Sequence, residues 1–160
     1  MSTLTHQMAP RPHADRLRPE AFPLRESLQA RYGDMDVNGH LNNLALEALH
    51  EDMRARLNRA AFPDIYDVGS RYLRVVTAQN VVHFLAEAHW PAEFDAAAGV
   101  SKVGRSSIIA STALFIGDSC ISICDTALVL VGSSGPEEIP DANRGVLQSL
   151  MISTSSPRKA

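Results

Sequence analysis

Apolar side chains recur every fourth position over residues 41–57. Beyond residue 71 that period gives way to runs rich in Val, Ile, Thr and Phe, separated by short turn signals. The change of period constrains the fold more than any other feature. In the first part Ala45, Leu49, Met53 and Leu57 form a stripe that Leu44 and Ala48 widen, with Glu47, Glu51, Arg54 and Asn58 on another face. This pattern predicts a helix of about four turns, capped at its start by Asn42 or Asn43 and finished before Pro63. In the second part, residues 71–84, 94–102, 106–116 and 120–131 read as strands divided at Trp90-Pro91, Gly104-Arg105 and Gly117-Asp118. Three successive hairpins are expected from them. With a further strand over 22–32 ahead of the helix, the order is one strand, one helix, four strands. The expectation is an α+β domain in which a curved five-stranded antiparallel sheet wraps one long helix.

A chain of 160 residues that is 45% hydrophobic can bury one sizeable core and falls short of two ordinary domains. The expected division is a flexible arm over 1–20, where Pro10, Pro12 and Pro19 stand among polar residues, a single domain over 21–150, and a flexible tail over 151–160. A net charge of −3 without a basic stripe gives no reason to expect a nucleic-acid partner. Every apolar run is interrupted well short of a bilayer span, and residues 1–18 lack the apolar core of a secretory leader, so a cytoplasmic protein without membrane contact is expected. The two cysteines, Cys120 and Cys124, are four apart in a predicted strand. Their Cα atoms would lie about 13 Å apart there, too far for a disulfide, and neighbouring ligands for a metal are missing. Buried thiols are the expectation.

Chemistry concentrates in the run from Arg31 to Asn43, RYGDMDVNGHLNN. A strand ends, two carboxylates follow two residues apart, Gly39 supplies a turn, and paired asparagines open the helix. Such a layout sets a carboxylate beside a helix N-terminus. Backbone N–H groups without intrahelical acceptors can polarise a carbonyl oxygen there while Asp36 attacks or activates water. That pairing suits acyl transfer. The sequence contains no Gly-rich phosphate loop, H-E-x-x-H, G-x-S-x-G or C-x-x-C that would point to other hydrolytic or redox chemistry.

With its Asp34-x-Asp36-x-x-Gly39-His40-x-Asn42-Asn43 motif and this element order, the chain over roughly 22–145 resembles the hotdog-fold thioesterases of the 4-hydroxybenzoyl-CoA thioesterase type. Val103-Gly104-Arg105-Ser106-Ser107 resembles, more weakly, that family's strand-turn-strand element. The resemblance implies a hotdog fold and hydrolysis of an acyl-CoA or acyl-carrier-protein thioester without a metal or other cofactor. It implies catalysis by Asp36 and polarisation of the thioester carbonyl by a backbone N–H near Asn43. It further implies homodimers or homotetramers with clefts at the subunit interface, and CoA held near Gly104, Arg105 and Ser106. Leu46, Leu49 and His50 stand where family helices commonly carry aromatic or apolar residues, and Val37-Asn38 lacks the proline of the hydroxybenzoyl subtype. The acyl group is therefore not set by the motif.

Each residue of the motif has an expected part. Asp36 is nucleophile, through a mixed anhydride, or general base. Asp34 is structural, with Arg31 and loop backbone as partners. His40 anchors the loop, Gly39 turns it, and Asn42 and Asn43 hold the helix start. Arg105 meets a CoA phosphate, Ser107 lines the cleft as a strand residue, and Glu51 pairs with Arg54. Two other classes compete with hydrolysis: a non-catalytic acyl-CoA sensor on the same fold, and a dehydratase acting on enoyl thioesters.

Overall fold

The computed structural model describes residues 8–69 and 72–154. The parts of the expected arm and tail at 1–7 and 155–160, and the expected strand start at residue 71, lie outside them. The elements in chain order are β1 (Leu24–Gln29), α1 (Asn43–Ala61), β2 (Arg74–Phe84), β3 (Glu93–Val103), β4 (Ser107–Ile116), β5 (Ser119–Gly132), the two-residue β6 (Gly135–Pro136) and α2 (Asp141–Ser149). The long strands lie in the order β1-β3-β4-β5-β2, all antiparallel, with β6 paired to β5.

Of the three hairpins expected, β3–β4 and β4–β5 form. The missing one fails because β2 pairs with β5 across a long sequence gap. Residues 85–92 then carry the chain to β3, which takes β1 as its other neighbour. Register shifts at Thr77/Gln79 in β2 and Val100/Lys102 in β3 insert an extra residue each, which bends those strands.

The sheet curls around α1. Met53 and Leu57 are fully buried against Phe94, Ala96, Ala98, Val100, Leu114 and Leu128. Alanines at the centre of β3 let the helix approach closely. The buried face of α1 is rotated from the expected stripe: His50, Arg54 and Asn58 are buried, whereas Leu44 is 78% exposed. Polar partners on the sheet account for the burial of His50 and Arg54. The His50 ring sits between the Thr112 and Ser122 hydroxyls, with Nδ1 2.8 Å from Thr112 Oγ1, and Arg54 Nη1 donates to Thr126 Oγ1 at 3.1 Å. Glu51 is exposed and pairs with Arg54 at 3.5 Å.

Part of the segment read as a flexible arm has a defined place. Residues 14–17 and 19–21 form 3-10 turns on the outer face of the sheet. There the Arg16 guanidinium grips Asp125 through both oxygens, at 3.0 and 2.5 Å, and Phe22 meets Phe115 edge-on. Past α2, whose Leu147 is fully buried, Val100 N–H donates to Leu150 O and Ile152 N–H to Val100 O. Residues 150–153 thus run beside β3 where the shorter β1 has ended. Cys124 is buried and Cys120 half-buried, both thiols free, and burial pushes the Cys120 thiol up to about 11.

Candidate active site

The motif loop is built around its own hydrogen bonds. Asp34 is buried, and its carboxylate accepts from Arg31 N–H at 2.8 Å and from the Arg31 guanidinium at 3.0 and 3.2 Å. Burial alone would raise this carboxyl, but the Arg31 backbone N–H and guanidinium outweigh it and hold Asp34 below the ordinary carboxylate range. The Asp34 carbonyl accepts from both the backbone N–H and the side-chain amide of Asn42, at 2.8 and 2.9 Å. Asn42 is the N-cap, its Oδ1 accepting from Ala45 N–H at 2.8 Å. One buried carboxylate therefore fixes the loop, and its backbone fixes the start of α1.

Between these anchors the chain makes a tight turn. Met35 bridges Leu41, Asp36 N–H donates to His40 O at 2.7 Å, and Gly39 takes a φ of +78°, in the left-handed region that glycine enters without strain. Asp36 stands on this turn, exposed to solvent, with Oδ1 accepting from Asn38 N–H at 2.8 Å and His40 N–H at 3.2 Å. Both bonds fall on Oδ1, and Oδ2 is left to other partners. Asn43 is the first helical residue. By helix geometry its N–H and that of Leu44 have no acceptor within the helix.

The turn docks on residues 85–92. Leu41 N–H donates to Ala88 O at 2.8 Å, and His40 Nε2 lies 3.3 Å from Glu87 Oε2. The His40 ring also packs edge-on against His89, whose Nδ1 is 3.1 Å from Gly39 O. Neither Glu87 nor His89 was singled out from the sequence, because they are 47 and 49 residues beyond His40 and no local spacing links them.

The second group of expected site residues stands elsewhere. Gly104 N–H donates to Ser107 O at 2.7 Å, and a Cβ at Gly104 would come within 3.0 Å of Ser107 Oγ. Arg144 of α2 holds the turn by donating to Gly104 O and Arg105 O, leaving the exposed Arg105 side chain to solvent. Ser107 opens β4, and Ser106 O accepts from Leu130 N–H. Ser106 and Ser107 share a small cavity with Phe62, just past the C-terminal end of α1. Asn43 is at the opposite end of that helix. Eighteen residue steps put the two ends about 27 Å apart, so one chain does not bring the two groups together.

The same arrangement of one helix in a curled sheet is found in known proteins. A family model described as the thioesterase-like superfamily matches residues 30–148. The chain belongs to the thioesterase-like superfamily. A solved structure of a thioesterase superfamily protein from Jannaschia sp. CCS1 is similar at 25% identity and a TM-score of 0.70, over 79% of this chain and 81% of that one. A Thermus thermophilus thioesterase complexed with coenzyme A and Zn superposes with a TM-score of 0.71 at 24% identity, over 79% and 98% of the two chains. A Staphylococcus aureus protein in complex with CoA shares 10% identity and a TM-score of 0.71, over 84% of this chain and 89% of the other. No curated protein matches the sequence. The expected α+β hotdog fold and thioesterase kinship are thus the findings for this superfamily member, and its matched region contains both the Asp36 turn and the Gly104 turn.

Proposed function

We propose that this superfamily member is a cytoplasmic acyl-CoA thioesterase that hydrolyses a thioester to a carboxylic acid and free CoA. What supports the reading is the turn at residues 35–41, which holds an exposed Asp36 carboxylate on the Asn38 and His40 N–H groups in the loop leading into α1, whose start Asn42 caps. In the proposed reaction the thioester oxygen rests on the N–H near Asn43, and Asp36 attacks the carbonyl carbon or takes a proton from an attacking water. His40, Gly39 and Asn42 keep the loop in place, and Gly104, Arg105, Ser106 and Ser107 receive the CoA end.

The separation of the two groups within one chain supports a homodimer. An eleven-residue edge strand, β2, has no neighbour on its outer side among the described residues, and beside it α1 exposes Leu44 and Ala48. A two-fold axis at that edge would run the two α1 helices antiparallel. Each Asp36 would then face the partner's CoA turn, which fits a cleft between subunits.

Asp36→Asn is the informative variant, because Asn can still accept at Oδ1 from Asn38 and His40 while lacking the charge. Thiol release from acyl-CoAs of short, long and aromatic chains should fall about 10²–10⁴-fold with the fold intact. Wild-type turnover by the variant would reject catalysis by Asp36. One observation favours a second reading, a non-catalytic acyl-CoA sensor: Asp36 already serves its own turn through Oδ1. Saturable acyl-CoA binding without thiol release from any CoA or acyl-carrier-protein thioester would decide for it.

A further inference from the structure

We propose that His40, Glu87 and His89 form a binding site for one divalent transition cation of the Zn²⁺ class, stapling the Asp36 turn to the 85–92 loop. Each of the three offers a ligand atom, and these atoms all lie within 4.8 Å of one another. His40 Nε2 and Glu87 Oε2 are 3.3 Å apart. Two ligands on a tetrahedral metal at bond lengths of about 2.0–2.1 Å are separated by about 3.3 Å, so this pair already has the edge of a coordination shell. The remaining separations exceed that edge by up to about 1.5 Å, within reach of side-chain rotation. Glu87 and His89 are exposed and have room to adjust.

The tautomer of His89 points the same way. A carbonyl oxygen only accepts, so the contact of Nδ1 with Gly39 O at 3.1 Å puts the ring proton on Nδ1. Nε2 keeps its lone pair, the form in which an imidazole binds a metal while its other nitrogen donates to a backbone carbonyl. The two loops are also held in register independently of the side chains by Leu41 N–H on Ala88 O. Two imidazoles and one carboxylate suit Zn²⁺ or Co²⁺ and not Ca²⁺ or Mg²⁺, which take oxygen ligands. The exposed fourth position is left for water.

The cation needs no part in hydrolysis, and its binding is tested with metal alone, so the outcome stands apart from the thioesterase reading. Metal-stripped full-length protein titrated calorimetrically with ZnCl₂ should bind one Zn²⁺ per chain and melt at a higher temperature with it. Co²⁺ at the same site should give the visible absorption of a low-coordinate nitrogen and oxygen shell. His89→Asn and Glu87→Gln, each at an exposed position, should weaken binding at least tenfold, whereas His13→Asn, in the segment ahead of β1, should leave it unchanged. Absence of saturable binding would reduce the cluster to an ordinary ion pair and overturn the proposal. So would an affinity indifferent to both ligand variants, or one lost with His13.

Discussion

His50 shows how a single residue can mislead a reading by pattern and still be well placed. It interrupts the apolar stripe of α1, yet it is 1% exposed with both ring nitrogens against hydroxyls. Burial, helped by the nearby Arg54 cation, lowers its pKa to about 3. The folded protein therefore holds a neutral ring over a range where the unfolded chain takes up a proton. That stability is complete above the ordinary histidine range and drains away as the pH falls towards 3, by at most about 1.4 kcal/mol per pH unit. Urea unfolding at pH 7 and pH 5 should show this loss in the wild type and a smaller one in His50→Gln; equal losses in both would remove His50 as the cause. At this scale the sequence showed Asp34 clearly, because its partner Arg31 is three residues away. It did not show the pairing of Arg16 with Asp125, 109 residues apart, or of His40 with Glu87 and His89. Local patterns carry no information about contacts that the topology creates.

Among the elements, α1 and the four long strands were legible because each has a sustained period. The helix runs 19 residues, longer than the four turns expected, because Asn58 and Ala61 find cover in its last turn. Helix α2 was missed. Its nine residues include Gly145 and a single fully buried side chain, Leu147, too short a stripe to register as periodic. Strand order was equally hidden, since the partner of β2 is decided by the curl of the sheet and not by neighbouring sequence. The fit between β3 and residues 150–153 gives a prediction at this scale. A Cβ at Gly99 would come within 2.6 Å of Ile152 Cγ2 and 2.8 Å of Pro23 Cδ. Gly99→Val should cost roughly 1–3 kcal/mol in chemical denaturation, through displacement of both flanking segments. A stability equal to wild type would mean that this packing gives way freely.

For the molecule as a whole, the proposed site is a matter of assembly. Light scattering should report twice the chain mass, and Val76→Lys, a charge on the open β2 edge, should shift it towards the monomer and lower thioester hydrolysis together. A fully active monomer would discard the shared cleft while leaving the Asp36 chemistry to its own test. The motifs of the sequence named both halves of this site but not their separation, because spacing along a chain says nothing of which end of a helix each half will meet.

The strip at residues 150–153 gives the folding process a direction. β3 is made before β4 and β5, yet part of its edge is closed by backbone some fifty positions downstream. A nascent chain that has emerged only as far as β5 carries bare amide and carbonyl groups on that strand, open to any extended peptide nearby. Sealing comes from the segment after α2, so a cut between α2 and residue 150 would reopen an adhesive border on an otherwise finished sheet.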